Sequence, residues 1–211
     1  MVVSKSFSRV FVFQGRKSKR AEQLQTHSRA MLSTVCVYCG SSQSIRQVYD
    51  DAASCLGQEF ARRNISLIYG GGSMGLMGRV AETVQNGGGD VIGVIPFALE
   101  KISGQTPGKV IVTSDMHQRK AAMAAKADAF IALPGGFGTL EELFEIVTWR
   151  QIGYHSKPIG LLNVDGFFDS LLNFLDDIVE DGFITQAARS ILIVESNPAV
   201  LIDKLTAATG G

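Results

Sequence analysis

A three-layer α/β fold, with a mostly parallel sheet covered by helices on both faces, is what this sequence predicts. Three observations predict it. Short, continuously apolar runs such as Thr34–Cys39, Ile65–Tyr69, Ala129–Leu133 and Ile159–Leu162 read as strands buried on both sides. Segments with helical periodicity separate them, so strand and helix alternate along the chain. Several of the runs end in glycine- or serine-rich turns, at 40–42, 70–75 and 135–138. In such folds ligands bind past the carboxyl ends of the strands.

The elements follow in order. After the strand at 34–39, residues 47–63 form an amphipathic helix with Ala52, Leu56 and Phe60 inward. The strand at 65–69 leads through Gly70-Gly71-Gly72-Ser73-Met74-Gly75 into a helix ending near Gln85. A strand at 90–95 precedes an irregular stretch, 96–108, long enough for a compact domain to suggest a lid or substrate loop. Residues 110–113 form a short strand and 115–127 a helix. The strand at 129–133 feeds a helix running to about Gln151, with Leu140, Leu143, Phe144 and Val147 as its apolar stripe. Strand 159–162, helix 166–179, strand 191–194 and helix 198–205 complete the pattern. Residues 32–211 are expected to form one domain, without a repeat or dividing linker.

The 211 residues carry 20 Lys+Arg and 20 Asp+Glu, so bulk charge gives no support for a nucleic-acid partner. No apolar run approaches the ~20 residues of a membrane span. Three cysteines, 36, 39 and 55, leave one unpaired in any disulfide scheme, which favours a reducing, cytoplasmic setting. Cys36 and Cys39 formally make a C-x-x-C, but Cys36 lies inside a strand rather than at a helix start, so a buried-strand role is expected. Residues 1–31 differ: they are basic and serine-containing with a single acid, Glu22. That composition suits a transit peptide or an extension without an address, and Met31 would suit an internal start.

The chemistry concentrates in Pro134-Gly135-Gly136-Phe137-Gly138-Thr139-Leu140-Glu141-Glu142. A strand, a glycine turn and a helix N-terminus converge backbone N–H groups and the positive end of a helix dipole on one point, which suits an anion. Glu142 would repel a phosphate there, and makes sense if it faces a sugar carbon that turns cationic during reaction. The competing reading is a capping box, with Thr139 at the N-cap and Glu142 reaching back to it. Glu141 and Glu145, four apart, read as a solvated edge. Gly70-x-Gly72-x-x-Gly75 has the dinucleotide-fingerprint spacing, but Asp90 stands at the beginning of the next strand rather than at its end, so a simpler ligand cradle is expected. In Ser114-Asp115-Met116-His117-Gln118-Arg119-Lys120, the residues Met116, Arg119, Lys120 and Met123 share a helix face and suit a pocket wall partly apolar and partly cationic. Arg119 supplies a planar fork for phosphate and Lys120 a point charge. No metal or cofactor is called for. A phosphate cradle, a cationic pair and one carboxylate are the parts needed to break a glycosidic bond in a sugar phosphate.

These residues together resemble the LONELY GUY family, the cytokinin riboside 5′-monophosphate phosphoribohydrolases, whose PGGxGTxxE motif is matched at 134–142. Agreement extends through Cys39-Gly40-Ser41-Ser42, Tyr69-Gly70-Gly71-Gly72, the segment 115–120 and Gly160-Leu161-Leu162-Asn163-Val164-Asp165-Gly166. The resemblance spans residues 34–205. It implies a Rossmann-like fold and a homodimer with active sites at the subunit interface. It implies hydrolysis of an N6-substituted adenosine monophosphate to free base and ribose 5-phosphate, which activates the hormone. Arg119 and Glu142 stand where the family's catalytic pair stands. Lys120, Gly135, Gly136, Phe137, Gly138, Thr139, Leu140, Glu141 and Thr148 stand at positions that contact substrate, with Gly71, Gly72 and Ser41 from the other turns. The family's acid in the loop after the third strand has Glu100 as its nearest counterpart, although counting back from Arg119 lands on Lys101. Homologues also carry the label lysine decarboxylase, yet no lysine is placed as a Schiff-base residue.

Two other readings stay open at this point. One is a general purine nucleoside monophosphate nucleosidase. The other is a non-catalytic carrier of a phosphorylated ligand, like the molybdenum-cofactor carrier proteins, against which the joint presence of Arg119 and Glu142 argues.

Overall fold

The computed structural model describes residues 32–43, 46–100 and 104–209. The basic extension 1–31 lies outside them. Seven strands form one parallel sheet: β1 (Thr34–Tyr38), β2 (Ser66–Tyr69), β3 (Val91–Pro96), β4 (Lys109–Thr113), β5 (Ala129–Ala132), β6 (Ile159–Leu162) and β7 (Leu192–Glu195). Their order is β4-β3-β2-β1-β5-β6-β7. The chain winds outward from β1 to β4, then returns to the other side of β1 with β5. The direction of winding therefore reverses between β1 and β5, where a crevice opens at the carboxyl ends of the strands.

The helices are α1 (Gln47–Arg63), α2 (Gly75–Asn86), α3 (Phe97–Glu100), α4 (Met116–Lys126), α5 (Phe137–Gln151), α6 (Asp169–Glu180), α7 (Gln186–Arg189) and α8 (Pro198–Ala208). Strand alternation sorts the core into two layers. Val35, Val37, Leu67, Tyr69, Ala129 and Ile131 face α1, α2 and α8, meeting Leu56, Phe60, Val80, Val84, Leu201 and Leu205. Cys36, Tyr38, Ile68 and Phe130 face the opposite layer, where Met123, Leu143, Ile146 and Leu175 lie. Each such side chain contributes about 1.5–3 kcal/mol when fully buried. The expected C-x-x-C reading as buried strand is borne out: Cys36 and Cys39 are both buried with free thiols, and burial pushes both thiols far above their usual range.

Three elements depart from expectation. The stretch 96–108 contains α3, and the sequence analysis also missed α7; each is a single helical turn, too short for periodicity to register. Met123 is fully buried core rather than pocket wall. The remaining departure, at the start of α5, belongs to the site. Among the described residues no helix is long and apolar enough to cross a membrane.

Candidate functional site

Two backbone contacts bring the turns after β1 and β5 side by side. Leu133 N–H donates to the Tyr38 carbonyl at 2.9 Å, and Gly40 N–H to the Pro134 carbonyl at 3.0 Å. The approach is so close that a Cβ on Gly135 would lie 2.1 Å from Thr139 Oγ1 and 2.9 Å from Gly40 N. A third contact, Met77 N–H to the Gly40 carbonyl at 3.3 Å, ties α2 to the same place.

α5 begins three residues earlier than the capping-box reading requires. Gly136 is its N-cap, with extended backbone and no side-chain cap, and Leu140 N–H already donates to the Gly136 carbonyl at 3.1 Å. Glycine serves nearly as well as threonine at an N-cap, so the Thr-x-x-Glu spelling misplaced the boundary. Thr139 is buried inside the first turn, and Glu142 lies well past the position from which it could cap. The first-turn N–H groups are thus left without a side-chain acceptor, as an anion site needs.

α4 is set at its start by Asp115, whose carboxylate accepts from Gln118 N–H at 2.8 Å and from the Ser114 hydroxyl at 2.8 Å. One turn in, Arg119 crosses beneath the turn after β2. Its Nε donates to the Val94 carbonyl at 3.1 Å, its Nη2 to the Gly70 carbonyl at 3.4 Å and its Nη1 to Met116 Sδ at 3.7 Å. A Cβ on Gly70 would stand 2.0 Å from Arg119 Nη2, so only glycine leaves room for the guanidinium. The Nη1 group also faces Glu142 Oε1 at 3.3 Å. Arg119 is 7% exposed and Glu142 6%. The two charges meet without a hydrogen bond, and Glu142 Oε1 has no hydrogen-bond partner among the described residues. Burial pushes the Glu142 carboxyl up to about 7. Arg119 and Lys120 pull it down, while Glu141 and Glu145 push it further up.

These groups line a two-lobed cleft. One lobe, about 220 Å³, is bounded by Ser41, Arg119, Gly136, Gly138, Thr139 and Glu142, with Met116 on its wall as the cationic-apolar face predicts. The other, about 250 Å³, lies among Gly70, Gly72, Met74, Met77, Ile95 and Leu99. Ser41, Met77 and Arg119 belong to both. The three glycine turns singled out in the sequence therefore do converge.

The remaining candidates are placed differently. Glu141 lines the first lobe and is exposed, as the solvated-edge reading expects, whereas Glu145 is partly buried; both bind the Lys120 ammonium, Glu145 at 2.7 Å. Lys120 is buried, and its cation is aimed at α5 rather than into the cleft. Gly135 lines a smaller cavity behind the turn, together with Tyr49 and Phe167. Gly71 lies outside the cleft lining; its carbonyl accepts from the Thr106 hydroxyl at 2.8 Å. Leu140 is half-buried, Phe137 is 93% exposed and Glu100 is exposed at the end of α3. Thr148 lies toward the other end of α5, beside a separate apolar cavity with Leu175 and Ile178. Sequence reasoning missed Gly70 and Met77 as individual site residues. Gly70 opens the Gly-x-Gly-x-x-Gly turn and Met77 follows it by two residues; only close approach to Arg119 and the cleft distinguishes them from their neighbours.

Comparison with known proteins gives the family and the fold. A family model described as "Possible lysine decarboxylase" matches residues 77–205. A "Probable cytokinin riboside 5′-monophosphate phosphoribohydrolase", LOGL2 of Oryza sativa subsp. japonica, is 58% identical over 173 residues, covering 81% of this chain and 71% of the relative. The cytokinin riboside 5′-monophosphate phosphoribohydrolase LOG4 of Arabidopsis thaliana is 54% identical over 183 residues, covering 86% and 85%. Among solved structures, the molybdenum cofactor carrier protein of Chlamydomonas reinhardtii shares the fold, with TM-score 0.66 and 20% identity over 85% of this chain and 99% of that one. The molybdenum cofactor binding protein of Rippkaea orientalis gives TM-score 0.62 and 22% identity, covering 82% and 94%. With more than half its length matched by the family model and close relatives along most of it, this chain belongs to the possible lysine decarboxylase family, on the branch that holds the cytokinin riboside 5′-monophosphate phosphoribohydrolases.

Proposed function

We propose that this chain hydrolyses the N-glycosidic bond of cytokinin riboside 5′-monophosphates, releasing the free base and ribose 5-phosphate. The observation that carries the reading is the buried Glu142 oxygen beside Arg119, without a hydrogen bond among the described residues and facing the same lobe as an uncapped helix N-terminus. Together with the relatives' shared name, it selects a reaction in which positive charge develops on a phosphorylated sugar.

In this reading the 5′-phosphate sits at Gly136, Gly138 and Thr139, where the N–H groups of α5 begin. The ribose lies by Ser41 and Arg119, and the base enters the lobe lined by Met74, Met77, Ile95 and Leu99. The C1′–N9 bond breaks with its electron pair leaving on the base, and the ribosyl cation is held by the Glu142 carboxylate. Water adds at C1′, and Glu142, with its pKa raised into the neutral range, accepts its proton. The proton taken up by Glu142 passes on to the released base, so the carboxylate is regenerated and the sum is one water consumed.

A homodimer completes the site. Phe137, Glu141, Phe144 and Thr148 form an exposed stripe along α5, and a second copy covering it would bring Thr148 to a cleft it does not line within one subunit. The three free cysteines suit a cytoplasmic setting. Decarboxylation of lysine finds no support: no lysine lines either lobe among the described residues.

The deciding experiment incubates the protein with isopentenyladenosine monophosphate, its unphosphorylated riboside and AMP, and measures released base and ribose 5-phosphate by chromatography. Release from the cytokinin monophosphate alone is expected. Charge-assisted hydrogen bonds are worth about 1.5–3 kcal/mol each, so losing two of them with the phosphate costs more than about a hundredfold. Comparable turnover of the riboside would overturn the phosphate assignment, equal turnover of AMP would favour a general nucleosidase, and binding without turnover would favour a carrier.

A further inference from the structure

Neighbours on α4, Arg119 and Lys120 address different carboxylates on α5. Arg119 meets Glu142 inside the cleft, whereas Lys120 is gripped by Glu141 and, one turn further along, by Glu145 at 2.7 Å. Residues four apart on a helix share a face, so Glu141 and Glu145 act as the two jaws of a clamp. The jaws are not alike. Glu141 lines the cleft and its side chain is about half exposed; Glu145 lies outside the cleft lining and is the more buried. A ligand phosphate at the start of α5 therefore meets Glu141, while the Glu145–Lys120 pair stays beyond its reach.

We propose that Glu145 is a positioning residue of this site: it anchors the Lys120 ammonium to α5, outside the cleft, and so sets both the approach of α4 to α5 that pairs Arg119 with Glu142 and the balance of charge around Glu142. The activity readout of this proposal rests on the phosphoribohydrolase reading above. The groups facing Glu142 are Arg119 and Lys120 from α4, Glu141 and Glu145 from α5, and Cys36, Tyr38 and Cys39 from β1 and its end. Burial holds the last three protonated far above neutral pH, so they keep their charge state. Glu145 pushes the Glu142 carboxyl up and Lys120 pulls it down. Neutralising Glu145 removes the upward push, leaves the downward pull, and moves Glu142 toward acid.

The test compares Glu145→Gln with Glu145→Asp. The Gln variant keeps size and hydrogen-bonding capacity without charge; its rising limb of kcat/KM against pH, with isopentenyladenosine monophosphate, should move to lower pH by about half a unit or more, as loss of a like charge within one helical turn implies. The Asp variant keeps the charge and should restore most of the parent profile. A carbon-13 NMR titration of the Glu142 carboxyl, assigned through Glu142→Gln, should show the same displacement without reference to turnover. An inactive parent with the NMR displacement present would count against the phosphoribohydrolase reading and for the positioning role. An unmoved Glu142 titration in folded Glu145→Gln overturns the role. Lys120→Gln supplies the opposite sign, raising the Glu142 titration, and covers the case in which Glu145→Gln fails to fold; no rise there overturns the proposal equally.

Discussion

Asp128 and Glu142 stand at opposite ends of the same pair of strands, and the protein treats them in opposite ways. At the amino end, Asp128 Oδ2 accepts from Ser33 N–H at 3.0 Å, from the Ser33 hydroxyl at 2.6 Å and from Thr34 N–H at 2.9 Å. Burial alone would raise its pKa, but these three donors outweigh it and hold the carboxyl below the ordinary range. At the carboxyl end, Glu142 is more deeply buried, has an oxygen that accepts no hydrogen bond from the described residues, and is pushed up to about 7. One carboxylate is satisfied and joins β1 to β5. The other is left unsatisfied within 3.3 Å of a guanidinium, in a cleft that a ligand can enter. A fold that can solve a carboxylate's hydrogen bonding at one end and leaves it unsolved at the other singles out the second as the candidate for chemistry.

The comparison can be broken most sharply at Glu142. Glu142→Gln should remain folded and bind nucleotide, yet lose about 10²–10³ in turnover, because one preorganised electrostatic group is gone. Turnover within a few-fold of the parent would remove Glu142 from the mechanism. Next in size is Gly70→Ala. Its Cβ would displace the far end of a flexible Arg119 side chain rather than backbone. Stability, read by urea unfolding, should change by less than about 1 kcal/mol, while misplacing the guanidinium costs up to about a hundredfold in kcat/KM. A variant as active as the parent would show that the Arg119 position is not required.

Asp128→Asn tests the other end. It should destabilise the fold by about 1–3 kcal/mol at neutral pH with kcat unchanged, as expected for a charged acceptor of several buried hydrogen bonds. Because its folded pKa is depressed, Asp128 contributes stability above its unfolded pKa and loses it as pH falls through the folded value. The difference between parent and variant should therefore shrink in acid, and a difference that stays constant down to pH 2 would contradict the assignment. Glu142 has the opposite sign. Its raised folded pKa gives a contribution present below the unfolded value near 4.5 and lost as pH rises through about 7. Unfolding at a series of pH values should show Glu142→Gln gaining on the parent between about pH 4.5 and 7. Over the same interval kcat/KM of the parent should rise as Glu142 ionises.

What was legible divides by the range of the interaction responsible. The glycine turns could be read directly, since a turn that must carry converging N–H groups or admit a neighbouring group uses glycine whatever the rest of the chain does. The pairing of Arg119 with Glu142 could be anticipated as a constellation, because their residue types suit one reaction. The start of α5 could not, since Thr139 spells a cap that Gly136 supplies instead. Lys120 was misjudged for a similar reason. Glu141 and Glu145 look solvated along α5 until α4 is laid against them.

By itself, then, the sequence determined the alternation of buried strands and helices, the positions of the turns and the kinds of group available for chemistry. These follow from side-chain periodicity and backbone freedom, which are local. Only the tertiary structure decided the strand order that opens a crevice between β1 and β5, the close packing of a guanidinium against Gly70, the diversion of Lys120 to two carboxylates, and the opposite fates of Asp128 and Glu142. Each of these depends on which distant groups are brought together, and that is settled by packing rather than by neighbours along the chain.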